Sequence, residues 1–337
     1  MTQFAAAPIG VLLVNLGTPE APEPAAVRRY LAQFLSDPRV VELPKLFWLP
    51  LLHGVVLRVR PKKSAAAYAA IWNEETNESP LRAITRAQAE GLAERLREGV
   101  SGASPVLVDF AMRYGAPSLQ DGLSGLMSRG CERILVMPLY PQYAAATTAT
   151  VFDATARVLA GMRRQPTLRF LPPYFDDPAY IGALAESLRA SIAALDFEPE
   201  VILASFHGLP QSQIDAGDPY AAQCEASWRL LREAMGLSER QLRLSFQSRF
   251  GRAKWIEPYT MEVVTRLARD GVKRLVVVTP GFSVDCLETI EEIGVEIRDA
   301  FLEEGGEKYA RVPCLNDGDE GMRLLETLAR RELEGWA

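Results

Sequence analysis

Three short stretches recur in the same order along the two halves of the chain. This echo limits the fold more than any single motif. LVNLGTP at 13–19 returns as LASFHGLP at 203–210, AMRYG at 111–115 as QSRFG at 247–251, and GCERILVMP at 130–138 as GVKRLVVVT at 271–279. Each copy lies in or beside a run rich in Val, Ile and Leu. Those runs, at 10–16, 105–112, 133–138, 201–206, 241–246 and 273–279, are apolar almost without interruption, as strands covered on both faces must be. Amphipathic helical patterns lie between them at 25–35, 85–97, 180–195, 221–235 and 258–270, with a last one at 320–333. Strands alternating with helices predict parallel sheets in an α/β fold. The echo predicts two such domains of similar plan with a cleft between them, which 337 residues can supply.

The halves are unequal. Leu16 and Arg113 stand 97 residues apart, whereas His207 and Arg249 stand 42 apart, so the first half carries about 55 extra residues between its first two repeated strands. The expected division is 1–172, with the tail 314–337 packing back on it, and 173–313, with a hinge at Pro172-Pro173. The insertion spans about 44–85. Its segment 44–63 carries Leu46, Phe47, Trp48, Leu49, Leu51, Leu52, Val55, Val56 and Leu57, followed by Arg58, Arg60, Lys62 and Lys63. That composition suits the surface of an anionic membrane, or an amphipathic helix packed on the protein itself. Pro50 and His53-Gly54 break the stretch, and no segment reaches the ~18 apolar residues that cross a bilayer.

Composition removes several function classes. Net charge is −6, against the basic excess of nucleic-acid binders. The four cysteines stand alone at 131, 224, 286 and 314, which leaves a zinc ribbon unsupported and fits free thiols in a reducing cytoplasm. The N-terminus lacks the basic region of a secretory signal. No GxGxxG or GxxxxGK[ST] follows the first strand and no GxSxG elbow occurs, so nucleotide and hydrolase chemistry of those kinds are disfavoured. With only His53 and His207 present, a multi-histidine metal site is excluded.

His207 follows directly from the apolar run VILASF. Ligands of parallel α/β sheets bind outside the carboxyl ends of the strands, which favours a ligand-facing histidine over one that merely bonds a loop carbonyl. In TPGFSVDCLETIEEIGVE at 279–296, Glu288, Glu292 and Glu296 recur every four residues and form one stripe if the segment is helical. The stripe reads either as a solvated acidic face or as a row carrying protons or a hard cation from the His207 rim. Tyr114, Tyr140, Tyr143, Trp255 and Phe282 lie beyond other strand ends. Singly they suit core packing; together they suit a large flat ligand. Arg113 is placed to bind a ligand carboxylate or to pair with a nearby acid.

These residues resemble the ferrochelatase family, enzymes that insert Fe(II) into a porphyrin. The resemblance runs through VNLGTPEAP, FLSDPRVVELP, ESPL, MRYG, LYPQYAAATT, SFHGLP, FQSRFG and GFSVDCLETIEEI, nearly the whole chain. It implies two Rossmann-like domains of the class II chelatase type, with protoporphyrin IX held between them and protohaem as product. It implies His207 and Glu288 as the catalytic pair that also handles the metal, and Asp285, Glu292 and Glu296 as a metal or proton path. Leu16, Tyr68, Ser79, Arg113, Tyr114, Tyr140, Trp255 and Phe282 then contact porphyrin, and 44–63 forms the lip, where His53 is not a ligand. No cofactor is required, since Fe(II) is a substrate. Animal members bear a [2Fe–2S] cluster on clustered C-terminal cysteines; the tail after Cys314 has none, so no cluster is expected. Cys286 stands where animal members have histidine, and the spacer WNEETNE is longer than the usual glycine-rich one. The implied location is cytoplasmic, with peripheral contact to the inner membrane surface and transient contact with the preceding haem-pathway enzyme. The rivals are a cobalt or nickel chelatase, which would use two active-site histidines, and a porphyrin carrier, which would not need the acidic row.

Overall fold

The computed structural model describes residues 7–97, 104–251 and 253–336. They form two compact units, each built on a four-stranded, all-parallel sheet. In the first, β1 (Ile9–Gly17), β2 (Val106–Tyr114), β3 (Arg133–Pro138) and β4 (Thr167–Phe170) lie in the order β2-β1-β3-β4. In the second, β5 (Val201–His207), β6 (Leu242–Gln247), β7 (Arg274–Val278) and β8 (Lys308–Arg311) repeat that order as β6-β5-β7-β8. The echoed stretches fall on equivalent strands: β1 with β5, β2 with β6, β3 with β7.

The central strands are where continuous apolar sequence is needed. Ile9, Val11, Leu12 and Leu13 of β1 are wholly buried, as are Leu203, Ala204 and Phe206 of β5. The edge strands β4 (TLRF) and β8 (KYAR) are only four residues long and mostly half-buried. Half-buried at a sheet edge, they have no apolar run for the sequence to display.

The divide in the chain falls at Pro172 and Pro173, with two departures from the expected boundaries. Tyr140–Ala144 groups with the second unit, because the Tyr143 backbone N–H donates to Gln223 (2.7 Å) and the Gln142 amide to Ser227 (2.9 Å). Residues 314–321 also stay with the second unit, held by Asn316. The switch back to the first comes at Met322, where helix Asp319–Leu333 takes up Arg95–Glu326 and Arg330–Arg95 bonds.

The insertion is helical almost throughout. Helices Lys45–Leu51 and Leu57–Ile71 are joined by a π-helical turn at Leu52–Val56, and Leu57–Ile71 packs on helix Pro24–Leu35. The spacer after it is a tight turn: Asn73 Oδ1 accepts the backbone N–H groups of Glu75 (2.9 Å) and Thr76 (3.1 Å). Among the described residues no helix is long and apolar enough to cross a membrane.

Candidate active site

β5 delivers His207 as its last residue, in register with Gln247 of β6. The histidine Nδ1 lies 2.7 Å from the Gly208 carbonyl oxygen. A carbonyl can only accept, so Nδ1 carries the proton and Nε2 presents a lone pair. Trp255 and Phe282 flank the imidazole, each with its ring centroid 6.4 Å away. Gly208 has to be glycine for this packing: a Cβ there would lie 2.9 Å from the Gln247 carbonyl oxygen and 3.1 Å from Trp255 Cε3.

The acidic row is carried by a ten-residue π-helix, Glu288–Ile297. Its i→i+5 bonding winds more residues into each turn than the 3.6 of an α-helix, so positions four apart lie closer to one line. Thr289, Ile293 and Ile297 form the buried row, and the two isoleucines pack with Val264, Leu275 and Phe301. Burial of each large apolar side chain in that cluster contributes about 1.5–3 kcal/mol. This fixes the helix's rotation and places Glu288, Glu292 and Glu296 in the adjacent row. The first two are half-buried and Glu296 is exposed.

Two polar anchors hold this helix to the strand ends. Gln247 Oε1 accepts from the buried Ser205 hydroxyl (2.8 Å), and its amide donates to the Glu288 backbone carbonyl (3.3 Å). One side chain thus ties β5 to the helix start. Ser248, at φ 65°, donates its backbone N–H to Glu292 Oε1 (2.7 Å) and its hydroxyl to Oε2. Burial pushes the Glu292 carboxyl above its ordinary value, while the Ser248 hydrogen bonds oppose that rise.

Asp285 does not stand open along the row. Its carboxylate accepts from Arg311 (2.5 Å), Thr289 (2.7 Å) and Asn316 (2.8 Å), and its own N–H donates to Asn316 Oδ1 (2.8 Å). With its acceptors engaged, it clamps the helix's first turn. Among the described residues no three His, Cys, Asp or Glu side chains are grouped to hold a metal ion.

In the first unit, the Arg113 carboxylate partner is the protein's own Asp37, and Nε donates to the Thr150 carbonyl (2.8 Å). Of the two partners the sequence allowed, a ligand carboxylate or a nearby acid, the structure shows the nearby acid. Tyr114 is buried and donates its hydroxyl to Asp37 (3.1 Å). Ser79 is buried before helix Pro80–Arg97, its hydroxyl oxygen accepting the Arg82 N–H (3.3 Å). Tyr68 is buried edge-on to Tyr30, and Leu16 is half-buried near the end of β1. In the second unit, Tyr140, Trp255 and Phe282 are half-buried. Asp37, Gln247, Ser248 and Asn316 carry this framework without having been singled out from sequence. Their only signal was membership of FLSDPRVVELP and FQSRFG for the first three; Asn316 had none.

The family model for ferrochelatase matches residues 8–333. The ferrochelatase of Methylocella silvestris is 56% identical over 329 residues, covering 97% of this chain and 94% of that protein. That of Rhizobium meliloti is 55% identical over 328 residues, covering 97% and 96%. Among solved structures, SirB from Bacillus subtilis with Fe3+ matches at a TM-score of 0.58 and 13% identity, covering 97% of this chain and 96% of that one. The sirohydrochlorin chelatase SirB from Bacillus subtilis subspecies spizizenii, in complex with cobalt, matches at 0.54 and 12%, covering 97% and 96%; at such identity the likeness is one of fold. Matched by the family model along nearly its whole length and by relatives at more than half identity, the chain belongs to the ferrochelatase family.

Proposed function

We propose that Fe(II) insertion into protoporphyrin, the activity of the family, proceeds at the carboxyl end of β5 with His207 as proton acceptor. A free-base porphyrin carries two inner N–H protons, and the metal binds only after both have left. Bending the macrocycle so that its nitrogen lone pairs leave the ring plane is the distortion such a step calls for. The observation that carries the reading is the His207 Nδ1 bond to the Gly208 carbonyl, which leaves Nε2 as an acceptor fixed by the backbone. Glu288, at the head of the π-helix, assists proton removal or handles the metal, and Glu292 and Glu296 continue the row for protons or Fe(II). Trp255 and Phe282, beside His207, and Leu16 and Tyr68 are assigned to the porphyrin by family resemblance.

The test is anaerobic turnover of protoporphyrin IX with Fe(II) or Zn(II), followed by absorbance. His207→Ala and Glu288→Gln are each expected to abolish metalloporphyrin formation while porphyrin binding, read by fluorescence, persists. A wild-type rate in His207→Ala would overturn the assignment.

No cysteine-bound cluster enters this proposal. Burial pushes the Cys131, Cys224, Cys286 and Cys314 thiols up, and the thiolate is the form that binds iron. The insertion is read as a membrane-surface lip at the inner face of the cytoplasmic membrane. Leu46, Phe47 and Val59 are 81%, 74% and 70% exposed, on the same segment as the exposed Lys45, Arg58, Lys62 and Lys63.

A further inference from the structure

The reaction as described leaves Asp37 without a role, yet three donors converge on its buried carboxylate. Arg113 Nη2 and the Tyr114 hydroxyl both donate to Oδ2, the latter at 3.1 Å, and the Arg39 backbone N–H donates to Oδ1 at 3.0 Å. The Arg113 and Asp37 side chains are only 7% and 8% exposed. Removing one member of so buried a pair leaves the other charge without compensation.

Asp37 stands at the foot of the insertion. Two residues before it, the Leu35 carbonyl accepts the Trp48 indole N–H at 2.6 Å, which fixes the first insertion helix. Arg39 forks onto Asp153 at 2.5 and 3.2 Å. A parallel aromatic route runs alongside: Tyr114 packs edge-on against Phe34 (5.1 Å), Phe34 stacks on Tyr30 (6.0 Å), and Tyr30 meets Tyr68 edge-on (6.5 Å). The end of β2 is therefore joined to helix Leu57–Ile71 through a short series of aromatic contacts, with Asp37 at the point where charge and aromatic packing meet.

We propose that Asp37 is a positioning residue for porphyrin binding: by pinning Arg113 and Tyr114 to the foot of the insertion, it sets where Tyr68 and its helix are held. The proposal rests on the assignment of Tyr68 to the porphyrin made above. Its function is to hold a binding element in place, so its loss acts on substrate affinity before it acts on the chemical step.

The experiment compares wild type with Asp37→Asn, Tyr114→Phe and Tyr68→Ala. It measures porphyrin KM and kcat, together with tryptic cleavage at Lys45, Arg58, Lys62 and Lys63 relative to sites elsewhere. Asp37→Asn is expected to raise porphyrin KM about tenfold with kcat within about threefold, and to speed cleavage within the insertion about tenfold over other sites. Tyr114→Phe, which removes one hydrogen bond and keeps the ion pair, is expected to move both readouts the same way by about threefold. If Asp37→Asn fails to fold, Tyr114→Phe decides. Unchanged insertion cleavage, cleavage that rises equally along the whole chain, or a fall in kcat at fixed KM would overturn the proposal. If Tyr68→Ala leaves KM unchanged, the Tyr68 assignment fails, and with it the link to porphyrin affinity, whatever the tryptic pattern shows.

Discussion

Ser248 grips both oxygens of the Glu292 carboxylate, one with its backbone N–H and one with its hydroxyl. Both donors point the same way because Ser248 sits at φ 65°, a left-handed conformation costing a non-glycine residue about 1–2 kcal/mol. The turn spends that strain to hold one acid of the row at a fixed place beside the strand ends.

Burial outweighs these donors and leaves the Glu292 carboxyl above its ordinary value of 4.5. For an acid the sign is clear: the fold prefers the protonated form, so the carboxylate adds no cost below the ordinary value and a growing cost as pH rises through the elevated one. Metal-free Glu292→Gln is therefore expected to melt above wild type at pH 7 to 8, with the advantage closing toward about pH 4. Melting curves across that range test it; a difference independent of pH would refute it.

Gly208→Ala places a methyl group 3.1 Å from Trp255 Cε3 and 2.9 Å from a backbone carbonyl. Trp255 or the β5–β6 pairing must give way, at about 1–3 kcal/mol for overpacking. Because Trp255 flanks His207, turnover should fall further than stability alone accounts for. A variant that melts lower by a few degrees yet turns over normally would show that the Trp255 position does not matter to the reaction.

Gly17 and Gly217 separate crowding from backbone strain. Both have strongly positive φ, 110° and 103°, but a Cβ at Gly17 would lie 1.7 Å from the Tyr114 carbonyl oxygen, whereas Gly217 faces open space. Gly217→Ala should cost about 1–2 kcal/mol. Gly17→Ala forces apart β1 and β2 where both reach their carboxyl ends, and should exceed about 4 kcal/mol or prevent folding. Denaturant melts of the two variants give the comparison; similar losses would mean that β1 and β2 can separate there at little cost.

How much of this was legible in sequence depends on whether a residue's role is periodic. β1 and β5 could be read because strands covered on both faces must be apolar throughout, and the three echoes predicted two domains of similar plan. β4 and β8 could not, since Arg169 or Lys308 on a half-exposed edge strand breaks no pattern. The acidic row could be read from its spacing of four, which the π-helix keeps. Ser248 could not, because its role arises from a positive φ and from a helix 44 residues later in the chain. Arg113 and Asp285 illustrate the limit from the other side. Sequence gave their charge and neighbourhood, but the acid that occupies Arg113 lies 76 residues before it, and the partners of Asp285 include Arg311 and Asn316, both beyond the next helix.

The insertion yields the last prediction. Leu46 and Phe47 project from helix Lys45–Leu51 with most of their surface in water, an arrangement that folding alone does not favour. Inserting each into an interface is worth about 1.5–3 kcal/mol, and each nearby Lys or Arg adds about 1 kcal/mol at an anionic surface. The double variant Leu46→Glu/Phe47→Glu should therefore lose at least about a hundredfold in binding to vesicles containing anionic lipid, by the same apolar-burial estimate. Wild type should bind neutral vesicles more weakly than anionic ones and be released in part by salt, since screening acts on the basic residues and not on the apolar pair. Co-sedimentation measures all of these. Equal binding by the double variant would mean that these side chains do not enter the bilayer, and that the exposed face of Lys45–Leu51 serves some other contact.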